Sequence, residues 1–376
     1  MLRNFTASAG GLSSTAQSTV DVTTFFNWLT AVVDDIDRGD IEAPVDATQY
    51  EPTPRTLSGF TYERLRDEFR PAVDAWLGTD PDPATVPRSK TAMDLHGLEG
   101  ATTRRYMRTT FRHLLDAGLA PIGVNFRGCS GEPNRTVRAY HSGETEDIAF
   151  VLGLLAGRFG RPVGLVGFSL GGNVTLKLLG ERGAAAHALV AAAVAVSVPF
   201  DLAAGSDRIG SGVMGRVYTR YFMRSLLRKV ALKEDLLRDA CDIDAVRRAR
   251  TLRQFDDVAT APLHGFAGAA DYYERSSSAA FIDGIRVPAL VIHSMDDPFL
   301  PPDRVPAAAL EANPHVTPVL TARGGHVGFI EGSVLRPRFW VEEAIAGWLA
   351  AGWGPVAGLT ASPRGSPPRP PARSAR

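Results

Sequence analysis

Cysteine, net charge and long apolar runs are scarce or absent in this sequence. Two cysteines, Cys129 and Cys241, are too few for a disulfide framework. They could pair, but free thiols in a reducing cytosol are the simpler interpretation. Basic and acidic residues number 41 each, so no overall field favours a nucleic-acid partner. The first residues lack a signal-peptide core, and the longest apolar run, 184–198, is too short to span a bilayer. These absences predict a soluble cytoplasmic protein without stable membrane insertion.

Motifs for metal and nucleotide binding are missing as well. Two isolated cysteines and scattered histidines have no metal-ligand spacing. No GxGxxG follows a predicted strand, and the sequence contains no P-loop. We therefore expect neither a metal nor a cofactor, and a small molecule as the binding partner. The oligomeric state is left open.

From residue 96 onward, apolar strands alternate with helices. Strands are predicted at 121–126, 163–168, 189–198, 287–293 and 316–320, and helices at 106–117, 144–159, 172–180 and 339–349. Such alternation is typical of α/β proteins, in which helices cover both faces of a mostly parallel sheet. We place this domain at 91–350.

Three segments fall outside the alternation. Residues 1–90 contain short amphipathic patterns at 25–36 and 62–76 but no clear strand pair. Residues 201–283 are rich in arginine and helical in period, which predicts a helical cap inserted between two strands. Residues 362–376 consist mainly of Pro, Arg and Ser, a composition typical of disorder.

The pentapeptide Gly-Phe-Ser-Leu-Gly at 167–171 follows an apolar strand and opens a helix. This context is that of a nucleophile elbow, where a strained strand-to-helix turn exposes the serine hydroxyl. Ser169 is therefore the candidate nucleophile, and the helix N-terminus would favour a developing negative charge. The alternative is a glycine-rich turn with an incidental serine.

A serine nucleophile needs a base and an acid that orients the base, in the chain order Ser, acid, His in this fold. His326 lies in a glycine-rich loop after the last predicted strand and is the candidate base. Asp297 is the better match for the acid, although its neighbour Asp296 stays open and either could cap the next helix. Among the alternatives, His113 in a helix, His187 in an alanine run and His293 in a strand are more simply structural residues. His141 and His264 lie in loops before the acid in chain order, and His315 precedes the last strand.

The remaining candidate piece is the loop His-Gly-Leu-Glu-Gly at 96–100. A loop in this position can supply one donor of an oxyanion hole, which would consist of the backbone N–H groups of Leu98 and Leu170. The alternative is a plain turn. Arginines at 220, 224 and 228 recur at helical spacing, which is more often a solvated helix face than a substrate clamp.

Seven ordered segments together resemble the YheT-type α/β-hydrolases. They are the 96–100 loop, 125–135, 140–147, the 167–171 elbow, 198–202, the segment around Asp297 and the loop around His326. The resemblance covers about 95–350 and implies the α/β-hydrolase fold, hydrolysis of short-chain or lipid-like carboxylic esters, and a triad of Ser169, Asp297 and His326. It also implies that the loop 125–135 shapes the floor of the site. From the residues alone, Arg127 is a structural ion-pair residue.

The sequence departs from that family before the 96–100 loop. Where the family has an aliphatic third strand, this chain has Ser-Lys-Thr-Ala-Met-Asp-Leu at 89–95. Lys90 and Asp94 would need partners in a buried strand, so the pattern predicts a poor one.

These residues predict a two-step acyl transfer from an ester to water through an acyl-enzyme. Two alternatives stay open. The same triad could serve an acyltransferase or a serine peptidase, or the chain could be an inactive hydrolase-like protein that binds acyl ligands.

Overall fold

A six-stranded parallel sheet forms the centre of the part of the chain that the structure describes. The computed structural model describes residues 90–333 and 336–351. The sheet order is β2-β1-β3-β4-β5-β6, with strands β1 Thr91–Leu95, β2 Ala120–Val124, β3 Val163–Phe168, β4 Val190–Val196, β5 Ala289–Ser294 and β6 Val316–Thr321. All five strand pairs are parallel, which confirms the parallel sheet predicted from the apolar runs.

Helices cover both faces of this sheet. In chain order the first three are α1 Arg105–Asp116, α2 Glu146–Phe159 and α3 Leu170–Arg182. The last two are α11 Ala307–Ala312 and α12 Trp340–Ala350. The helices numbered between these two groups lie in an insertion between β4 and β5, and their ranges are given below. Side chains of α2 and α3 pack on one face with Leu165 and Val291, whereas α1 and α12 pack on the other with Val166 and Ile292. Alternate residues of each strand therefore enter two separate apolar layers, as the pleat requires. A short antiparallel ribbon, β7 Ile330–Ser333 and β8 Arg336–Phe339, precedes α12.

The prediction of a poor strand at 89–95 is wrong. Strand β1 lies between β2 and β3, and all five of its residues are buried. Neither carboxyl oxygen of Asp94 has a hydrogen-bond partner among the described residues. Burial raises the pKa of this carboxyl well above its usual range, which favours the neutral form over a buried charge. Lys90, at the strand's start, reaches out instead and donates to the carbonyl of Ala350.

The segment between β4 and β5 is helical, as predicted. We call residues 202–276 the cap segment. It contains α4 Leu202–Ile209, α5 Gly212–Leu232, α6 Glu234–Leu237, α7 Ile243–Arg248, α8 Leu252–Phe255, a π-helical turn Asp256–Thr260, α9 Ala261–His264 and α10 Ala269–Ser276. Its own apolar cluster includes Met223, Val246 and Phe255. Arg220, Arg224 and Arg228 are exposed on α5, in agreement with a solvated face.

Element boundaries differ from the predictions by a few residues. The helix predicted at 172–180 begins at Leu170, because the serine itself ends the strand-to-helix turn, and it extends to Arg182. His264 ends a helix instead of lying in a loop. Cys129 and Cys241 are free thiols. Among the described residues, no helix is both long enough and apolar enough to cross a membrane. The predictions for 1–89 and 362–376 lie outside the described residues.

Candidate active site

Ser169 lies at the sharp turn between β3 and α3, at the carboxyl edge of the sheet. Its backbone has φ of 52° and ψ of −117°, a conformation that non-glycine residues rarely adopt. The serine N–H donates to the carbonyl of Val196 on β4 at 2.8 Å, and the serine carbonyl accepts from Asn173 N–H at 3.0 Å. Neighbouring backbone therefore holds the strained turn from both sides.

Glycines beside the serine allow this tight turn. A Cβ atom at position 167 would lie 2.2 Å from the carbonyl oxygen of Gly171. A Cβ atom at position 171 would lie 2.7 Å from the carbonyl oxygen of Leu95. Both distances are far below van der Waals contact, so only glycine lets β1, β3 and α3 approach this closely.

The Ser169 hydroxyl, the His326 ring and the Asp297 carboxylate form a continuous hydrogen-bonded chain. His326 Nε2 lies 2.9 Å from Ser169 Oγ, and His326 Nδ1 lies 2.7 Å from Asp297 Oδ2. A carboxylate oxygen can only accept, so the ring proton lies on Nδ1 and the Nε2 lone pair faces the serine hydroxyl. The second oxygen of Asp297 accepts the Phe299 N–H at 2.9 Å, which fixes the carboxylate. The structure thus brings together the three residues that the sequence singled out, and places Asp297 instead of Asp296 against the ring.

The 96–100 loop packs directly against the serine. A Cβ atom on Gly97 would lie 3.6 Å from Ser169 Oγ, so the glycine leaves room beside the hydroxyl. Tyr106 Oη accepts the Gly97 N–H at 2.9 Å. Leu98 follows in this loop, and Leu170 is the first residue of α3, so both expected oxyanion donors belong to segments that adjoin Ser169.

Comparison with known proteins agrees with this architecture. The sequence model described as the alpha/beta hydrolase fold matches residues 95–333. The chain is 40% identical over 276 residues to the Escherichia coli (strain K12) protein named "Putative esterase YheT", covering 73% of this chain and 80% of that protein. This chain belongs to the α/β-hydrolase family.

More distant relatives of this α/β-hydrolase are named as lipases. The monoacylglycerol lipase of Saccharomyces cerevisiae (strain ATCC 204508 / S288c) is 30% identical over 309 residues, covering 80% of this chain and 66% of that protein. The phospholipase ABHD3 of Mus musculus is 30% identical over 262 residues, covering 69% of this chain and 63% of that protein. Three relatives of this chain are thus named as an esterase or as lipases.

Two residues that sequence reasoning missed position the loop of His326. Asp296 Oδ1 accepts the N–H groups of Gly324 and Gly325, each at 2.9 Å. The buried Ser197 hydroxyl donates to the carbonyl oxygen of His326. From the sequence, Asp296 is a rival acid or a helix cap, and nothing in the sequence near 197 indicates a contact with residue 326.

Aromatic rings from the core and the cap segment lie beside the histidine. The Phe299 ring makes an edge contact with the His326 ring, at 4.7 Å between centroids. Tyr218, on α5 of the cap segment, makes an edge contact with Phe299 at 4.4 Å. The cap segment therefore contacts the loop beside His326 through an aromatic pair.

Arg127, in the 125–135 loop, pairs with Asp147 at the start of α2. Its Nε and Nη2 atoms lie 2.6 and 2.7 Å from the two carboxylate oxygens, and both residues are buried. This bidentate geometry matches the structural ion pair expected from the residues alone. In the same loop, Phe126 N–H donates to His96 Nε2 at 3.2 Å, so the 125–135 loop is hydrogen-bonded to the first residue of the 96–100 loop.

One further cluster, His141, Glu144 and His264, has the composition of a metal site, with ligand atoms within 4.8 Å of one another. Glu144 Oε2 already accepts from the Arg138 guanidinium at 2.6 Å, and Oε1 accepts the N–H groups of Glu146 and Asp147. His141 Nδ1 accepts the Gly143 N–H, which leaves the ring proton on Nε2, 3.8 Å from Glu144 Oε2. A metal at Nε2 would need that proton on Nδ1, where it would meet another N–H. The contacts therefore fit a structural cluster better than a metal site.

Proposed function

We propose that the protein hydrolyses carboxylic esters through an acyl-enzyme intermediate on Ser169. The observation that carries this proposal is the hydrogen-bonded chain from Ser169 Oγ to His326 Nε2 and from His326 Nδ1 to Asp297. Its order, distances and tautomer are those that a serine nucleophile requires. The esterase and lipase names of the relatives support an ester as the substrate class.

In the first step, His326 Nε2 takes the hydroxyl proton while Ser169 Oγ attacks the ester carbonyl carbon. The carbonyl becomes an oxyanion, held by the N–H groups of Leu98 and Leu170. As the intermediate collapses, the proton passes from Nε2 to the leaving alcohol. Asp297 keeps the ring oriented and stabilises its protonated form throughout.

In the second step, water replaces the alcohol. His326 takes a proton from the water, whose oxygen attacks the acyl carbon, and the same two N–H groups hold the second oxyanion. Collapse returns the proton to Ser169 and releases the carboxylic acid. The reaction consumes one ester and one water and regenerates the free hydroxyl.

The aromatic pair of Tyr218 and Phe299 supports an apolar group next to the reacting carbonyl. Phe299 contacts the histidine ring, and Tyr218 covers Phe299 from the cap segment. Aromatic side chains offer a large apolar surface against which hydrocarbon is favourably buried. We therefore propose short-chain or lipid-like acyl esters as the substrates.

Labelling with a fluorophosphonate probe tests the proposal. The parent protein should become labelled, whereas Ser169→Ala and His326→Ala should not. The same three proteins should then be assayed with p-nitrophenyl esters of increasing acyl length, with and without an added alcohol. Ester turnover to free acid by the parent alone supports hydrolysis. Transfer of the acyl group mainly to the alcohol would favour an acyltransferase, and a folded parent that is never labelled would contradict the proposal.

A further inference from the structure

Four residues at four-residue spacing along α5 form a polar stripe that faces the core. They are Tyr221, Ser225, Lys229 and, just past the helix end, Lys233. The first three each come directly after one of the exposed arginines at 220, 224 and 228, and Lys233 lies four residues after Lys229. Every member of the stripe hydrogen-bonds to a loop that follows β1 or β2. The cap segment is therefore attached to this edge of the core by polar contacts at regular intervals.

The centre of the stripe is bound to Glu99 in the 96–100 loop. The Glu99 side chain is 1% exposed, and its Oε1 accepts from Lys229 Nζ at 2.7 Å and from Tyr140 Oη at 2.5 Å. Its Oε2 accepts from the Ser225 hydroxyl. The Glu99 carbonyl accepts from Arg104, which also donates to Tyr221 Oη at 2.8 Å. Both the side chain and the backbone of Glu99 are thus tied to α5.

Glu99 has φ of 51°, in the left-handed region that a residue with a side chain adopts only when its surroundings hold it there. The contacts to Lys229, Ser225 and Tyr140 are those surroundings. Without them the 96–100 loop would relax toward an ordinary backbone conformation.

The strained residue comes directly after Leu98, whose N–H is the proposed oxyanion donor. The Gly97 carbonyl accepts from His96 Nδ1 at 2.8 Å and from Gly100 N–H at 3.0 Å. Because a trans peptide is planar, these bonds point the Leu98 N–H to the opposite side. Glu99 fixes the downstream end of the same turn, and the Leu98 side chain itself packs against the apolar cluster of the cap segment.

The charge of Lys229 is needed at this point because the Glu99 carboxylate is buried. A buried carboxylate that loses its cationic partner is strongly destabilised and tends to move toward water. Movement of Glu99 would carry the adjacent Leu98 peptide with it. Lys229 also lies over the Tyr140 ring, 5.0 Å from its centroid, and 3.1 Å from Cys129 Sγ, so its ammonium group is held in place.

We infer that Lys229 and Ser225 are positioning residues for the oxyanion hole, acting through Glu99 on the Leu98 N–H. The oxyanion hole is then assembled only when the specific contact of Lys229 and Ser225 with Glu99 forms, whatever the other contacts of the cap segment. This inference rests on the proposed function, and it assigns to the cap helix a part in catalysis that is separate from substrate binding.

Kinetics and transition-state-analogue binding of Lys229→Met test the inference. With an ester substrate, kcat should fall by at least about tenfold while KM changes by less than about twofold, because the lost stabilisation belongs to the transition state. The affinity for an alkyl boronic acid, whose tetrahedral adduct on Ser169 occupies the oxyanion hole, should fall in parallel with kcat/KM. Lys229→Arg should recover most of both. The double variant Lys229→Met, Glu99→Gln should lose much less kcat than the product of the fold-losses of the two single variants, because the two residues act through one contact.

Lys233→Met is the matched control, because Lys233 lies on the same stripe but binds Asn134 instead of Glu99. It should stay within about twofold of the parent, as expected for a residue outside the coupled pair. A control as damaging as Lys229→Met would overturn the inference, since loosened cap docking would then explain the loss. Unchanged kcat and boronate affinity in folded Lys229→Met would also overturn it.

The Ser225→Ala variant and the labelling of the parent complete the test. If Lys229→Met does not fold, Ser225→Ala removes one hydrogen bond to the Glu99 carboxylate and should lower kcat and boronate affinity together by about tenfold, because a hydrogen bond to a charged group is lost. No change in either would overturn the inference. A parent that fluorophosphonate does not label contradicts the proposed function, whereas a labelled parent with an unaffected Lys229→Met contradicts the positioning role alone.

Discussion

Asp296 and Asp297 are neighbours in the chain, yet their carboxylates hold different parts of the same loop. Asp297 accepts from the His326 ring at 2.7 Å, whereas Asp296 accepts from the backbone of Gly324 and Gly325 at 2.9 Å. One carboxylate orients the imidazole, and the other holds the segment that carries it.

Asparagine substitutions should separate these two roles. Asp297→Asn places an amide against His326 Nδ1 and favours the wrong tautomer, so kcat should fall by about 10⁴-fold. Asp296→Asn keeps an oxygen that can accept from both glycine N–H groups, so kcat should fall by only about tenfold or less. Steady-state kinetics and fluorophosphonate labelling rates measure both. Equal losses in the two variants would contradict the assignment of Asp297.

Packing at the elbow predicts a sharp difference between two glycine-to-alanine substitutions. Gly171→Ala would place a methyl group 2.7 Å from the Leu95 carbonyl and should lower the free energy of unfolding by about 2 kcal/mol or more. Gly157→Ala is the matched control, because it lies on α2, is exposed and has nothing within 4 Å of the added Cβ. It should be neutral or stabilising by up to about 1 kcal/mol. Denaturant titration measures both, and equal stabilities would contradict the close approach of β1 and α3.

His293 on β5 predicts an acid-dependent loss of stability. The residue is fully buried, its ring nitrogens have no hydrogen-bond partners within the described part of the chain, and burial lowers its pKa to about 4. As the pH falls below about 6.5, the unfolded chain binds a proton that the folded protein does not, so stability drops until about pH 4. At pH 5, His293 should lower the free energy of unfolding by about 2 kcal/mol relative to its value at pH 7.5.

His293→Leu should remove that contribution. The free energy of unfolding of His293→Leu minus that of the parent should therefore be larger at pH 5 than at pH 7.5. Urea unfolding at both pH values measures this difference. Ile292→Val, on the same strand, has no titratable group and should cost about 1 kcal/mol equally at both pH values. A parent and a His293→Leu variant with parallel pH profiles would rule out this source of acid sensitivity.

The buried pair of Arg127 and Asp147 should contribute to folding without contributing to catalysis. Arg127→Met leaves the Asp147 carboxyl buried without its bidentate partner and should lower the free energy of unfolding by about 3 kcal/mol or more. The exposed pair of Arg238 and Asp235 is the comparison, and Arg238→Met should change stability by less than about 1 kcal/mol. In folded Arg127→Met, kcat should stay within about threefold of the parent. A large loss of kcat at unchanged stability would instead place Arg127 in the catalytic machinery.

Much of the fold could be predicted because its signals are local. The apolar runs of β3 and β6 and the glycines around Ser169 identify a parallel sheet and a strand-to-helix elbow without reference to the rest of the chain. Strand β1 was misjudged because its stability depends on non-local features. Two neighbouring strands supply its hydrogen bonds, and burial favours the neutral form of Asp94 by raising its pKa.

By itself, the sequence determined the α/β-hydrolase fold and the family, and it singled out Ser169 and His326 through motifs that need only adjacent residues. The sequence favoured Asp297 over Asp296 without excluding Asp296, and only tertiary structure shows that Asp297 faces His326. Tertiary structure alone decided that Ser197 supports the histidine loop and that Lys229 reaches Glu99 from 130 positions away. Such contacts depend on how separate segments are brought together in space. Sequence spacing carries no record of a hydrogen bond between a loop and a helix that only the folded chain makes neighbours.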